Sequence, residues 1–215
     1  DRKAAILYRK QARFKLITTG KISQKNLLFE EQHLERLRTA SRYFAFSFDL
    51  EDLKQKIEEE CRACDYRQDY RLRISLGKSG EIELSRQVLT PLGPSFCQAK
   101  LCLQEANLQQ AFTYFKTSYR PHLSLGEQEK IYHNQRGELL ETSIGNLVLK
   151  IAGKLYTPSI RLGILPGIYR QHLLETGQIE EKVLTLADLV QAEAIYGCNA
   201  VRALYKFCLL YTSLS

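Results

Sequence analysis

The sequence has no methionine, few prolines and no hydrophobic run long enough to cross a membrane. Without an initiator methionine, Asp1 does not look like a translation start, so we expect the chain to be part of a longer protein. A spanning helix needs about 18 or more consecutive apolar residues, and the first residues lead into no signal-peptide core. These absences predict a cytoplasmic protein with no membrane partner.

Cysteine is present at six positions, but not in a metal-binding arrangement. The one closely spaced pair is Cys61 and Cys64, and a zinc site would need a second pair of similar spacing. Cys97 and Cys102 match such a pair poorly. We therefore predict no metal site.

The charge is positive but not organised. Lysine and arginine outnumber the acids by 31 to 24, which gives a formal net charge of +7. The basic residues are scattered among acids instead of forming a stripe with interleaved aromatics, which is the pattern of nucleic-acid binding. Because anionic small molecules explain a basic bias equally well, we predict no nucleic-acid partner. A basic nucleic-acid binder stays open as an alternative, and it would show steep salt-dependent binding.

The composition is that of an ordinary globular protein, with 44% hydrophobic and 26% charged residues. A chain of 215 residues can bury a core as one domain or as two small lobes. Two of the five prolines fall within residues 90–95, which reads as a linker. We predict a small N-terminal α+β lobe over 1–89, a linker over 90–96 and a larger lobe over 97–215.

The first lobe combines helical and strand patterns. Apolar residues at helical spacing predict helices, and Asp49, followed by Asp52 and an apolar set, predicts a helix cap. Alternation on both sides of a glycine-containing turn predicts a hairpin. The predicted elements are helices over 2–12, 27–44 and from Asp49 to about Cys64, a strand over 14–19 that turns at Gly20–Lys21, and paired strands over 70–76 and 81–84.

The second lobe is predicted to be rich in β-structure, so the fold class is α+β. Short alternating segments separated by turns predict a meander. Pro166 fits the first turn of a helix, and Gly177 fits its end. The predicted elements are strands over 99–103, 130–133, 138–142, 146–151, 154–157 and 194–196, an extended segment over 183–185, and helices over 166–176 and 186–191, while 106–115 fits either type.

One lysine stands out through the residues around it. Lys116 lies among hydroxyl and aromatic side chains in Phe115-Lys116-Thr117-Ser118-Tyr119-Arg120. Glu141, a predicted helix start at Gly167, and Asn199 follow downstream. A Schiff-base lysine, a carboxylate, a helix N-terminus and an asparagine form a coherent set for holding pyridoxal phosphate.

Each of these residues also has an ordinary interpretation. Lys116 alone could be a surface lysine at the end of a helix, and Glu141 could be an exposed hairpin glutamate, as Glu138 could. The histidines at 122, 133 and 172 match no ligand spacing. The sequence contains neither a Gly-x-Ser-x-Gly elbow nor a phosphate-binding P-loop.

Taken together, the motifs resemble the fold-type IV pyridoxal-phosphate enzymes, over 14–45 and 113–204. This group comprises branched-chain aminotransferases, D-amino-acid aminotransferases and 4-amino-4-deoxychorismate lyases. Lys116-Thr117-Ser118-Tyr119-Arg120 is most similar to the lyase version, in particular the lyase half of fused aminodeoxychorismate synthase–lyase chains. Further similarity lies in His33-Leu34-Glu35-Arg36-Leu37 and in Gly197-Cys198-Asn199-Ala200-Val201-Arg202. The chain departs from the family at Thr18-Thr19, where Glu-Thr is usual.

The resemblance implies roles for individual residues. Lys116 would bind the cofactor covalently and act as the catalytic base, and Glu141 would bind the pyridine nitrogen. The phosphate would be held by Arg36 and by the segment residues Gly167, Ile168, Tyr169, Asn199 and Ala200. The substrate would contact Thr19, Arg120 and Arg202, with the two arginines on its carboxylates.

The resemblance also implies a fold, an activity and an assembly. The expected fold has two lobes, the second a β-barrel-like lobe with flanking helices. The expected activity is conversion of 4-amino-4-deoxychorismate into 4-aminobenzoate and pyruvate, a step of folate biosynthesis, by a homodimer. A synthase, covalently attached or separate, is a further expected partner. A branched-chain or D-amino-acid aminotransferase and a non-catalytic binding module fused to a synthase stay open as alternatives.

Overall fold

The computed structural model describes residues 14–104, 110–123 and 128–210. The predicted helix over 2–12 lies outside these residues. Contacts divide the chain into two compact units, one of residues 1–88 with 116–119 and one of residues 89–115 with 120–215. The segment Lys116–Tyr119, which the sequence placed in the second lobe, therefore groups with the first unit. The predicted lobe boundaries themselves stay a prediction.

The first unit contains an antiparallel four-stranded sheet and two helices. Its sheet has the order β2-β1-β3-β4, and β1 pairs with β3 along most of its length. The elements are β1 (Leu16–Ser23), β2 (Asn26–Leu27), α1 (Glu30–Phe44), α2 (Leu50–Arg62), β3 (Tyr70–Leu76) and β4 (Ile82–Val88). The predicted helices over 27–44 and after Asp49, and the hairpin from 70 onward, are confirmed.

Helix α1 packs on β1. Alternate residues of a strand point to the same face, and on β1 that face includes Leu16, Thr18 and Ile22, all fully buried. The matching face of β3 is formed by Leu72, Ile74 and Leu76. This face and the buried helix residues form the core of the first unit.

The predicted turn at Gly20–Lys21 is wrong. Strand β1 continues through Gly20 to Ser23, and the turn follows at Gln24 and Lys25, which have φ of 49° and 64°. Gly20 serves close packing instead, because a Cβ there would lie 2.6 Å from Nε2 of His33. A glycine inside a strand often marks such a close approach.

The second unit is built on a closed β-sheet. Its strand order is β10-β9-β8-β11-β12-β5-β6-β7, and β7 also pairs with β8. Six strands therefore form a barrel, while β9 and β10 extend from β8. The strands are β5 (Gln98–Leu103), β6 (Glu129–His133), β7 (Leu139–Thr142), β8 (Asn146–Ile151), β9 (Lys154–Thr157), β10 (Glu180–Glu181), β11 (Ala194–Asn199) and β12 (Ala203–Leu209).

Three short helices accompany the barrel, namely α3 (Gln110–Tyr114), α4 (Ile168–Glu175) and α5 (Leu186–Gln191). The predicted meander, the strand near 99–103 and the helix over 186–191 are confirmed, but β12 was not predicted. Helix α4 starts at Ile168, so Pro166 precedes it instead of lying in its first turn. At the end of the predicted linker, Pro94–Cys97 forms a turn of 3-10 helix.

The barrel interior holds an apolar core. Among its fully buried members are Ala99, Ile131, Leu139, Leu147 and Leu149, one or more from each of β5 to β8. The two units together give the predicted α+β class. Within the described residues, no helix is both long and apolar enough to cross a bilayer.

Candidate active site

Lys116 lies in a short extended segment beside the start of β1. Its carbonyl accepts a hydrogen bond from the N–H of Ile17 at 2.9 Å, and Leu16 forms a bridge with Thr117. Ser118 closes the pairing, because its N–H donates to the Lys15 carbonyl and its Oγ accepts from the Lys15 N–H, both at 2.8 Å. β-type pairing of three consecutive residues, 116–118, therefore fixes the backbone around the lysine, while the lysine itself is half-buried.

A buried histidine lies close to this lysine within the first unit. His33 on α1 is 1% exposed, and its Nδ1 is 2.6 Å from Oγ1 of Thr18. Burial, followed by the positive charges of Arg36 and Lys116, lowers the pKa of His33 to about 3. The structure thus brings Arg36 and Lys116 near one neutral imidazole.

Thr19 occupies the opposite face of β1 from Thr18 and is also buried. Its strand partner is Arg73 on β3. The sequence motif His33-Leu34-Glu35-Arg36 pointed to Arg36, but the hydrogen bond that connects His33 to β1 was not predicted. Only the pairing of α1 with β1 reveals it.

In the second unit, Glu141 is a buried carboxylate on β7 with 2% exposure. Nη2 of Arg120 lies 3.4 Å from its Oε2, and the arginine side chain is 17% exposed. The ordinary interpretation of Glu141 as an exposed hairpin glutamate is therefore wrong. The structure places Arg120 beside Glu141, and its predicted contact with the substrate stays a prediction.

The residue opposite Glu141 connects it to the start of α4. Asn146 on β8 is the register partner of Glu141, and its Nδ2 donates to the Leu165 carbonyl at 2.8 Å. A Cβ on Gly167 would lie only 1.9 Å from Oδ1 of Asn146, so glycine is required there. One buried asparagine thus lies opposite Glu141 on the neighbouring strand and also contacts the segment that leads into α4.

Helix α4 begins without a side-chain cap from Gly167, which occupies its N-cap. The N–H groups of a first helical turn point outward as donors, and together with the helix dipole they favour an anion. Ile168 and Tyr169 are the first two residues of this turn. The start of α4 has the features of an anion-binding helix N-terminus.

The segment after β11 is held by its own asparagine. Oδ1 of Asn199 accepts from the N–H groups of Val201 and Arg202 at 3.0 and 2.9 Å, and its Nδ2 donates to the Ile144 carbonyl. The side chain of Asn199 therefore shapes the turn that contains Ala200. Nη1 of Arg202 donates to the Thr90 carbonyl at 2.9 Å, and burial lowers the pKa of Arg202.

A further buried carboxylate of the second unit, Glu129, was not predicted, and His122 was considered only within a set of histidines that match no ligand spacing. Glu129 is fully buried on β6, and the hydroxyl of Tyr205 on β12 is 3.4 Å from its Oε2. His122 is 8% exposed and has no hydrogen-bond partner for either ring nitrogen among the described residues. Nothing in the local sequence distinguishes Glu129 from the neighbouring exposed acids.

The chain matches the family described as amino-transferase class IV over residues 15–208. It belongs to this family. The curated relatives of this class IV chain include the aminodeoxychorismate lyase of Saccharomyces cerevisiae, which is 24% identical over 86% of this chain and 68% of its own length.

Solved structures of the fold agree with the family. A protein from Mesorhizobium loti, named only provisionally as an amino-acid aminotransferase, is 28% identical with a TM-score of 0.81 over 92% of this chain and all of its own. The pyridoxal-phosphate-bound form of a hypothetical aminotransferase from Mycobacterium tuberculosis is 18% identical with a TM-score of 0.72, over 91% of this chain and 81% of its own. The expected fold-type IV architecture is confirmed.

Within the described parts of the chain, histidine, cysteine and carboxylate side chains form no cluster of three that could bind a metal ion.

Proposed function

We propose that this class IV chain is a pyridoxal-phosphate-dependent 4-amino-4-deoxychorismate lyase that forms 4-aminobenzoate and pyruvate. The observation that carries the proposal is the Glu141–Asn146–Gly167 arrangement in the second unit. It places a buried carboxylate on the strand position opposite an asparagine that abuts the uncapped start of α4. A pyridine nitrogen and a phosphate at the two ends of one cofactor require this pair of groups. The yeast relative supports the lyase assignment.

The residues present fit the cofactor. Glu141 would bind the ring nitrogen, and the first-turn N–H groups of Ile168 and Tyr169 would bind the phosphate. Gly167 fits this role because it leaves no side chain at the helix start. Arg36 would add a charge-assisted contact to the phosphate, and Ala200 a backbone contact. Lys116 would carry the cofactor on its amine.

The bound cofactor would supply an electron sink for negative charge at the substrate carbon that bears the amino group. Nζ of Lys116 would take the proton from that carbon. The same nitrogen would then deliver a proton to the departing enolpyruvyl group, which leaves as pyruvate. The ring that remains becomes aromatic, so the elimination is strongly downhill.

Two arginines are proposed to bind the substrate carboxylates. Their existing contacts indicate which of the two is better suited to this role. Arg120 lies against the carboxylate of Glu141, which balances its charge. Arg202 donates to a neutral carbonyl and keeps a full positive charge for an incoming anion. We therefore favour Arg202 over Arg120 for substrate binding, and we assign Arg120 to Glu141. Thr19 stays a proposed substrate contact.

The direct test is to incubate the purified chain with aminodeoxychorismate and to follow 4-aminobenzoate by fluorescence, with and without added pyridoxal phosphate. We expect cofactor-dependent product formation by the wild type. Lys116→Ala should lower the rate at least about a thousandfold and abolish the visible absorption of the bound cofactor, because the amine is both the attachment point and the base.

Lys206→Ala is the matched control, since Lys206 is exposed on β12. It should keep the wild-type rate and spectrum. If Lys116→Ala retains both, the assignment of the lysine is wrong. If the wild type binds the cofactor but makes no aminobenzoate, the lyase proposal is wrong.

An aminotransferase is the second candidate, because the Mesorhizobium loti structure with that provisional name has the TM-score of 0.81. It would use the same lysine, carboxylate and helix start. The two candidates differ in amino-group transfer to 2-oxoglutarate from branched-chain or D-amino acids. We expect this transfer to be negligible beside the lyase rate.

A further inference from the structure

The second unit buries a carboxylate that the proposed reaction does not use. Glu129, the first residue of β6, is 0% exposed. An ionisable group in a barrel interior is costly unless hydrogen bonds compensate it, so an apolar residue would be the simpler occupant. Burial raises the pKa of Glu129, and hydrogen bonds from Ser143, Lys130 and Thr142 act in the opposite direction. The hydrogen-bond partners of Glu129 therefore indicate its structural role.

The shortest hydrogen bond of Glu129 comes from the turn between β7 and β8, and its other partners lie on β12 and β6. Its Oε1 accepts from the N–H of Ser143 at 2.8 Å, and the hydroxyl of Tyr205 lies 3.4 Å from Oε2. Ser143 is also bound to Lys130, because its N–H donates to the Lys130 carbonyl at 3.1 Å and its Oγ accepts from the N–H of Lys130 at 2.9 Å. The carboxylate is thus one of three contacts that attach the turn to β6, and it is the shortest of them.

The same turn is closed internally and has little space around it. Oγ1 of Thr142 and the backbone of Gly145 are within 3.1 Å of each other in both directions. A Cβ on Gly145 would lie 2.6 Å from the Cys198 carbonyl and 2.9 Å from the Tyr205 hydroxyl. These hydrogen bonds and close neighbours together hold the turn in a single position.

The residues on either side of the turn are Glu141 and Asn146. They are register partners, and Asn146 abuts Gly167 at the start of α4. A displacement of the turn would move the carboxylate and the helix contact together. A functional group needs supporting contacts of this kind to keep its geometry.

We propose that Glu129 is a positioning residue, whose carboxylate fixes the 142–145 turn and thereby sets Glu141 and Asn146 for cofactor binding. The inference rests on the proposed function for the role of Glu141. It concerns an additional residue that does not touch the cofactor. Glu129→Gln should preserve the role, because an amide oxygen can still accept from Ser143 and its NH2 can donate to Tyr205. Glu129→Ala should abolish it.

The test uses the full chain freed of cofactor and measures amide hydrogen exchange, followed by titration with pyridoxal phosphate. In Glu129→Ala we expect exchange at 142–146 to rise at least about tenfold and cofactor affinity to fall about tenfold, as for loss of a buried hydrogen bond. Exchange in the β8–β9 hairpin at 152–154 should not change. Glu129→Gln should stay within about threefold of the wild type, because it keeps the hydrogen bond to Ser143.

Glu180→Ala, which removes an exposed acid on β10, is the matched control and should change neither measurement. If Glu129→Ala does not fold, Glu129→Asp replaces it, because the shorter side chain keeps the charge but not the reach, and it should show the same local rise. Unchanged exchange at 142–146, or an equal rise at 152–154, would overturn the proposal. The proposal would also be overturned if cofactor affinity fell as far in Glu129→Gln as in Glu129→Ala.

The outcomes separate this inference from the proposed function. A wild type that makes no aminobenzoate ends the lyase proposal, yet the exchange of the cofactor-free variants still decides the role of Glu129. An active wild type with unaltered exchange in Glu129→Ala ends the inference alone.

Discussion

At the scale of single residues, His33 shows how position overrides chemical type. An imidazole in water titrates near neutrality, but burial and two cationic neighbours lower the pKa of His33 to about 3. It therefore remains neutral in the folded protein at physiological pH. Its hydrogen bond to Thr18 and the absence of a side chain at Gly20 are the conditions for this burial.

His33 should make stability depend on pH. Between pH 6.5 and about 3 the unfolded chain protonates His33 and the folded chain does not, so acid favours unfolding. At pH 4.5 this one group should lower the free energy of unfolding by about 3 kcal/mol relative to pH 7. His33→Asn should remove that part of the decline, measured by urea denaturation at several pH values.

The matched control for His33 is Gln32→Asn, an exposed change one residue earlier on α1. The free energy of unfolding of Gln32→Asn should decline with falling pH as that of the wild type does. An undiminished decline in His33→Asn would show that the histidine does not stay neutral on folding.

Gly167 is the residue on which the helix start depends most. Gly167→Ala places a Cβ against Asn146, so the asparagine or the helix must move and the hydrogen bond to the Leu165 carbonyl is at risk. We expect a loss of about 1–3 kcal/mol in the free energy of unfolding, as for a disrupted buried hydrogen bond. Cofactor affinity should fall as well. Urea denaturation and titration with pyridoxal phosphate of the purified variant measure the two effects.

The control for Gly167 is Gly93→Ala. Apart from its two chain neighbours, no described residue has an atom within 4 Å of a Cβ at position 93, and the φ of Gly93 is −64°. This change should cost less than about 0.5 kcal/mol, as surface substitutions usually do. Equal losses in the two variants would contradict the steric explanation.

At the scale of elements, helix starts and turns illustrate what a local pattern can predict. Asp49 was identified as a cap from the residues that follow it, and its carboxylate accepts from the N–H groups of Glu51 and Asp52 at 3.0 and 3.1 Å. The turn at Ala152–Gly153 was predicted in the same way and is present, with φ of 49° and 77°. Both features depend on atoms within a few residues.

Asp49→Ala should destabilise the first unit through α2. Two first-turn N–H groups lose their acceptor, which typically lowers the free energy of unfolding by about 1 kcal/mol. Asp49→Asn keeps a side-chain acceptor, so its free energy of unfolding should fall clearly less. Urea denaturation of both variants checks the prediction, and equal losses would show that charge rather than capping is responsible.

Two elements were not predicted correctly. Strand β12 was missed, although it pairs antiparallel with β11 across the short turn at 200–202, and its other pairing, parallel to β5, joins residues far apart in sequence. Parallel partners are far apart in sequence and leave no turn signal between them. The wrong turn prediction at Gly20 also has a non-local cause, because a glycine is needed there for the close approach of His33 on α1.

At the scale of the whole molecule, the assembly is a proposal. We propose that two copies associate, as the family resemblance implies, and that light scattering after size exclusion will give twice the 24.8 kDa of the chain. The measurement should cover a hundredfold range of concentration, because mass action dissociates weak dimers. A mass of one chain at every concentration would contradict the proposal.

The sequence by itself determined the family, the α+β class, most helices and strands, and the identity of the proposed catalytic lysine. These follow from short motifs, periodicity and caps, which need only neighbouring residues. The tertiary structure alone decided which buried groups are partners: Arg120 with Glu141, and Glu129 with Ser143 and Tyr205. Hydrogen bonds and burial join residues up to 76 positions apart there, and no local pattern encodes such a pairing.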